Sequence, residues 1–174
     1  MRTFNKATLS SEVLEEIRSN VKELMLAAGC EVFNTPTPSI KFYTFEMAVE
    51  EAIAENVPLT MEQMKEHYKL MEGGFDAKNN ILCLKADTVI EESLIFHEMV
   101  HTFQNQAVLI EACKDVSDPV RLNTSFEAEA YGLQFLWELQ NTKLVTKSDE
   151  PYKALMNFYN TTVKPAVANF IQTK

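Results

Sequence analysis

Apolar residues recur at helical spacing in the first part of the chain. Val13, Ile17, Val21, Leu24, Met25 and Ala28 share one face of a helix that Ser10 or Ser11 can cap and Gly29 can end. Two prolines in EVFNTPTPS deny helix, and SIKFYTF then alternates as a half-buried strand does. EMAVEEAIAEN predicts a short helix. Beyond Pro58, the T-x-x-Q spacing of Thr60 and Gln63 opens another helix towards Met71, with Gly73 and Gly74 to close it.

In GGFDAKNNILCLKADT the Asn79-Asn80 pair signals a turn, and Ile81 to Leu84 form an apolar run. Together they predict a hairpin whose second strand ends near Lys85. Asp87 offers an N-cap to a long helix, in which Val89, Ile90, Leu94, Phe96, Val100, Phe103, Ala107 and Ile110 keep a broad apolar face. Asn123 or Thr124 caps the next helix, SFEAEAYGLQFLWELQ. Asp149-Glu150-Pro151 begins a last one, which Pro165 kinks or breaks. With no internal repeat or linker, residues 1–174 are expected to form one α+β domain, mostly helical, around a small mixed or antiparallel sheet.

Composition narrows the function. At 174 residues and 46% hydrophobic, the chain can fill one core. A formal net charge of −9 and the lack of any Lys/Arg run argue against nucleic acid as a partner, because such binding rests on clustered cations. No apolar run is long enough for a membrane span, and MRTFNKATLSSEVLEE has no signal-peptide core, so a cytoplasmic protein is expected. Cys30, Cys83 and Cys113 are widely spaced among apolar neighbours, which predicts reduced, buried thiols.

The chemistry concentrates in LIFHEMVHTFQNQ. On a helix, His97 and His101 project from one face one turn apart and can offer two imidazole nitrogens to one metal ion. Glu98, rotated about 100° from His97, can reach water beside that ion without being a ligand. Metal-assisted hydrolysis divides its labour in this way, with neutral donors holding a Lewis acid and a separate base taking a proton. A catalytic zinc usually has a third protein ligand. His67 lies among charged residues and reads as a surface histidine, whereas FEAEAYGLQF offers Glu127 and Glu129 at the start of the following helix.

HEMVH followed by a helix reading E-A-E-A-Y resembles the gluzincin branch of the zincin metallopeptidases. The resemblance spans about Gly74 to Gln140 and implies a zincin-like fold, with Zn2+ held by His97, His101 and Glu127. It also implies Glu98 as general base, and a hairpin strand before the active helix along which an extended peptide or protein substrate lies. Tyr131 stands where such families place an aspartate supporting a ligand histidine, which leaves that support to Glu111, Asp115 or a backbone carbonyl. Thr124 and Glu127 also fit an S/T-x-x-E capping box, in which case Glu129 would be the available carboxylate. Tyr131, Arg121, His67 and Tyr68 are the candidate donors to a developing oxyanion. A zinc-dependent peptidase is the function expected, and a zincin-like module that binds a partner without cleaving it is the alternative.

Overall fold

The computed structural model describes residues 1–54, 56–105, 119–142 and 150–158, with positions 107, 160, 161 and 165. In order, the elements are β1 (Thr3–Phe4), α1 (Ser11–Ala27), β2 (Ser39–Tyr43), α2 (Phe45–Ala54), α3 (Met61–Leu70), β3 (Gly73–Asp76), β4 (Ile81–Lys85), β5 (Ile90–Glu91), α4 (Glu92–Phe103), α5 (Pro119–Asn141) and α6 (Glu150–Phe158). The fold is α+β, mostly helical, with small sheets. Among the described residues no helix is long and apolar enough to cross a membrane.

Local signals account for the first half. The Ser10 side chain accepts from the Val13 amide at the start of α1, and Gly29 takes φ 70° just beyond its end. Thr60 and Gln63 form the expected capping box on α3. Gly73 and Gly74 do not close that helix, which ends at Leu70 with Met71 as its C-cap; they begin β3 instead. The Asp76 carboxylate receives the amides of Lys78 and Asn79, and Asn80 takes φ 54°, so the β3–β4 turn is built from the residues that signalled it. β4 is central in a mixed sheet of order β2-β4-β3, parallel to β2 and antiparallel to β3. The outer strand beside α4 is therefore β3.

Leu82 and Leu84 of β4 point into a hydrophobic core with Ile17, Val21 and Met25 of α1 and Leu133 and Leu136 of α5. α4 lies at its centre. Ile95, Phe96, Met99, Val100 and Phe103 are all buried there, and α1 and α5 both pack on this helix, which carries the histidines.

Both ends of α4 differ from the sequence expectation. Asp87 does not cap it; that carboxylate lies 3.2 Å from the Tyr68 hydroxyl. Instead Ile90 and Glu91 pair antiparallel with Phe4 and Thr3, and the helix starts at Glu92. Arg2 holds the Glu92 carboxylate through its backbone amide at 2.9 Å and its Nε at 3.0 Å. The helix stops at Phe103 because its last carbonyls are taken by distant groups: Thr35 Oγ1 donates to Thr102 O, and the Phe33 amide to Phe103 O. Arg18 donates to Thr102 Oγ1 at 3.1 Å and lies over the Phe103 ring. Gln104 is thus an extended C-cap rather than a continuation of the helix.

α5 starts at Pro119, a residue suited to a first helical turn, and so runs through Thr124. The capping-box reading lapses, since Thr124 lies inside the helix and not at its N-cap. Cys30 and Cys83 are not joined in a disulfide, and burial pushes the Cys83 thiol up. Cys113, Glu111, Asp115 and the Arg121 side chain lie outside the described residues, as does most of the stretch around Pro165.

Candidate metal centre

α4 and α5 bring three donors together. His97 Nε2 lies 3.0 Å from Glu127 Oε2, His101 Nε2 lies 3.4 Å from Glu127 Oε1, and the two Nε2 atoms are 3.3 Å apart. Among the described residues, His97, His101 and Glu127 are the group of three whose ligand atoms all fall within 4.8 Å of one another. Glu129 points elsewhere. It is buried, and its Oε2 accepts from Gln104 Nε2 at 2.8 Å.

The other ring nitrogens are occupied from outside. Gln134 Oε1 lies 3.1 Å from His97 Nδ1, and Gln104 Oε1 lies 2.8 Å from His101 Nδ1. An amide oxygen only accepts, so each Nδ1 carries the ring proton and each Nε2 turns a lone pair towards Glu127. Two lone pairs and a carboxylate then face one another, a repulsion that a metal cation or added protons between them would relieve. That donor set, two imidazoles and a carboxylate, is one that zinc takes, and the residues present fit the ion.

Without a metal, protons must serve. Burial works against a charged His101, but its hydrogen bond to Glu127 and the charge of Glu98 outweigh that and hold its pKa above the ordinary value of 6.5. Hydrogen bonds from His101 and His97 bring the Glu127 carboxyl down to about 2. Glu98 behaves oppositely. It is only 7% exposed, and burial pushes its carboxyl up while the charges of His101 and His97 pull it partly back.

A cleft of about 650 Å³ opens beside this group, lined by His97, Glu98, Tyr131 and Gln134 on one side and by Gly73 and Lys85 on the other. Tyr131 is 61% exposed, and its ring centroid lies 4.3 Å from that of His97. Of the other candidate donors, His67 is exposed on α3 and is not among the cleft residues, while the Tyr68 hydroxyl lies 3.1 Å from Tyr43 O. The structure therefore brings His97, His101, Glu98, Glu127 and Tyr131 together and leaves His67 and Tyr68 aside. No family model, curated protein or solved structure matches the chain.

Two residues that touch the imidazoles were not picked out from the sequence. Gln134 follows Glu127 by seven positions and so lies on the same face of α5, a signal that was available. Gln104 gave none, because it faces His101 only when α4 ends at Phe103.

Proposed function

We propose that the protein is a zinc-dependent peptidase with a zincin-like arrangement of outer strand, histidine helix and glutamate helix. The single observation that carries the proposal is the Glu127 carboxylate facing both Nε2 atoms while Glu98, one residue from His97, lines an open cleft. His97 Nε2, His101 Nε2 and a Glu127 oxygen would hold the ion. In such a donor set zinc supplies a Lewis acid that polarises a carbonyl and makes water acidic enough to attack near neutral pH.

The chain's own groups do the rest. Glu98 accepts the proton of the attacking water and returns it to the leaving amine; its burial raises its basicity towards the working range. Tyr131, over His97 at the cleft wall, donates to the carbonyl oxygen as that atom gains charge. Gly73 gives the cleft a wall of bare backbone on the outer strand β3, along which an extended peptide can pair.

The test separates binding from cleavage. Glu98→Gln is expected to bind zinc as the wild type does and to lose cleavage of a quenched-peptide library by about 100-fold or more, the scale of a lost general base. A wild type that binds zinc yet cleaves nothing in casein or the library would replace the peptidase reading with a partner-binding module. A wild type that takes up less than about a tenth of an equivalent of added zinc would end both, since structural and catalytic sites alike hold a full ion.

A further inference from the structure

The two histidines are supported by neutral amides, and each amide is itself fixed by a carboxylate. Gln104 Nε2 lies 2.8 Å from Glu129 Oε2 and 3.1 Å from Phe126 O. Both are acceptors, so the NH2 end of Gln104 must face them and its oxygen must face His101 Nδ1. Gln134 repeats the pattern on the other ring: its Nε2 donates to Glu138 Oε1 at 2.8 Å, and its oxygen faces His97 Nδ1. Two parallel series result, His101–Gln104–Glu129 and His97–Gln134–Glu138.

We infer that Gln104 and Gln134 are positioning residues for a bound metal, each locking one histidine in the Nδ1–H tautomer that turns Nε2 to the ion. Glu129 and Glu138 act through them by forbidding the flipped amide, which would set an NH2 against the ring N–H. This rests on the metal-binding reading above and goes beyond it in assigning the orientation of both ligands to residues outside the donor set. The formal charges sit one amide away from the imidazoles. The rings are therefore oriented without a carboxylate on either Nδ1, and Glu129, though buried, leaves the donor set to Glu127.

Zinc titration of the full chain against a competing chromophoric chelator tests the assignment without reference to activity. Gln134→Ala and Gln104→Ala are each expected to weaken zinc by about 10–100-fold, the usual cost of removing a partner from a ligand histidine. In Gln104→Glu two carboxylates would meet where 2.8 Å now separates amide and acid, and zinc binding falls. Adding Glu129→Gln turns the pair around: the new glutamine donates to the new glutamate, which still accepts from His101, and affinity returns to within about threefold of wild type. Were Gln104 needed only to tie Phe126 O, the exchange could not rescue, because a glutamate cannot donate to that carbonyl.

Gln134 lies at the solvent-lined cleft, so Gln134→Ala keeps the test decisive even where a Gln104 variant fails to fold. Gln134→Ala with zinc affinity within about threefold of wild type overturns the inference, as does a folded exchange variant that stays as weak as Gln104→Ala. A wild type that fails to bind zinc overturns the metal reading instead, so the two failures are distinct.

Discussion

Phe96 stacks on Trp137 with ring centroids 4.8 Å apart and planes 22° from parallel. The contact joins α4 to α5 at the residue before His97, and both rings are buried. Removing the indole leaves a cavity between the two helices that carry the three candidate donors. Trp137→Ala is expected to cost about 3–5 kcal/mol in urea denaturation, the range for emptying a buried aromatic site. A loss below about 1 kcal/mol would mean that the helices hold their places without it.

Tyr131 can be separated from the donor set by one atom. Tyr131→Phe keeps the ring packed on His97 and removes only the hydroxyl, so zinc affinity should not change. If the hydroxyl meets the developing oxyanion, kcat falls by about 100-fold with little change in KM. Equal kcat values for the two proteins would take Tyr131 out of the chemistry.

Zinc affinity should depend on pH with a definite sign. His101 in the metal-free protein holds its proton above the ordinary 6.5, so an ion binding there must displace a proton at and below that pH. Affinity is expected to fall by about tenfold per pH unit once the pH drops through that raised pKa, and to level off above it. Chelator competition at several pH values reads the slope. A flat profile from pH about 5.5 to about 7.5 would show that no imidazole proton is displaced.

Acid stability has a separate source at the start of α4. Burial opposes the Glu92 charge, but hydrogen bonds from the Arg2 side chain and backbone outweigh it and keep its carboxyl below the ordinary 4.5. A carboxyl depressed on folding adds stability that is complete above the unfolded value and is lost as pH falls through the folded one. Arg2→Met removes the side-chain partner, so acid unfolding should begin at higher pH than in the wild type. An unchanged acid midpoint would show that the Arg2 side chain contributes nothing at that end of the helix.

What could be read from the sequence divides by range. The Ser10 and Thr60 caps, the Asn79-Asn80 turn and the i, i+4 histidines all depend on neighbours within a few residues, and each lies where its pattern places it. Asp87 misled because the pairing of Ile90 with Phe4, far apart in the chain, delays the helix to Glu92. The far end of α4 misled for the same reason, since Arg18, Phe33 and Thr35 compete for its last turn and no local signal near Phe103 announces them. The resemblance favoured Glu127 over Glu129, and the true start of α5 bears on the competing cap. Once Thr124 lies inside the helix, Glu127 is no longer claimed by a cap, and Glu129 turns to Gln104. The resemblance to gluzincins suggested roles, and of the two glutamines beside the rings only Gln104 needed tertiary structure.

The three candidate donors are shared between α4 and α5, so an ion held there would have a mechanical as well as a chemical part. An ion held by His97 and His101 on one side and Glu127 on the other would cross-link α4 to α5 and favour the folded arrangement. Removing such an ion would leave protons on the imidazoles to hold Glu127 in its place, close to where Phe96 meets Trp137. If an ion binds these donors, folding and metal supply would be linked, and the protein deprived of the ion would be less stable.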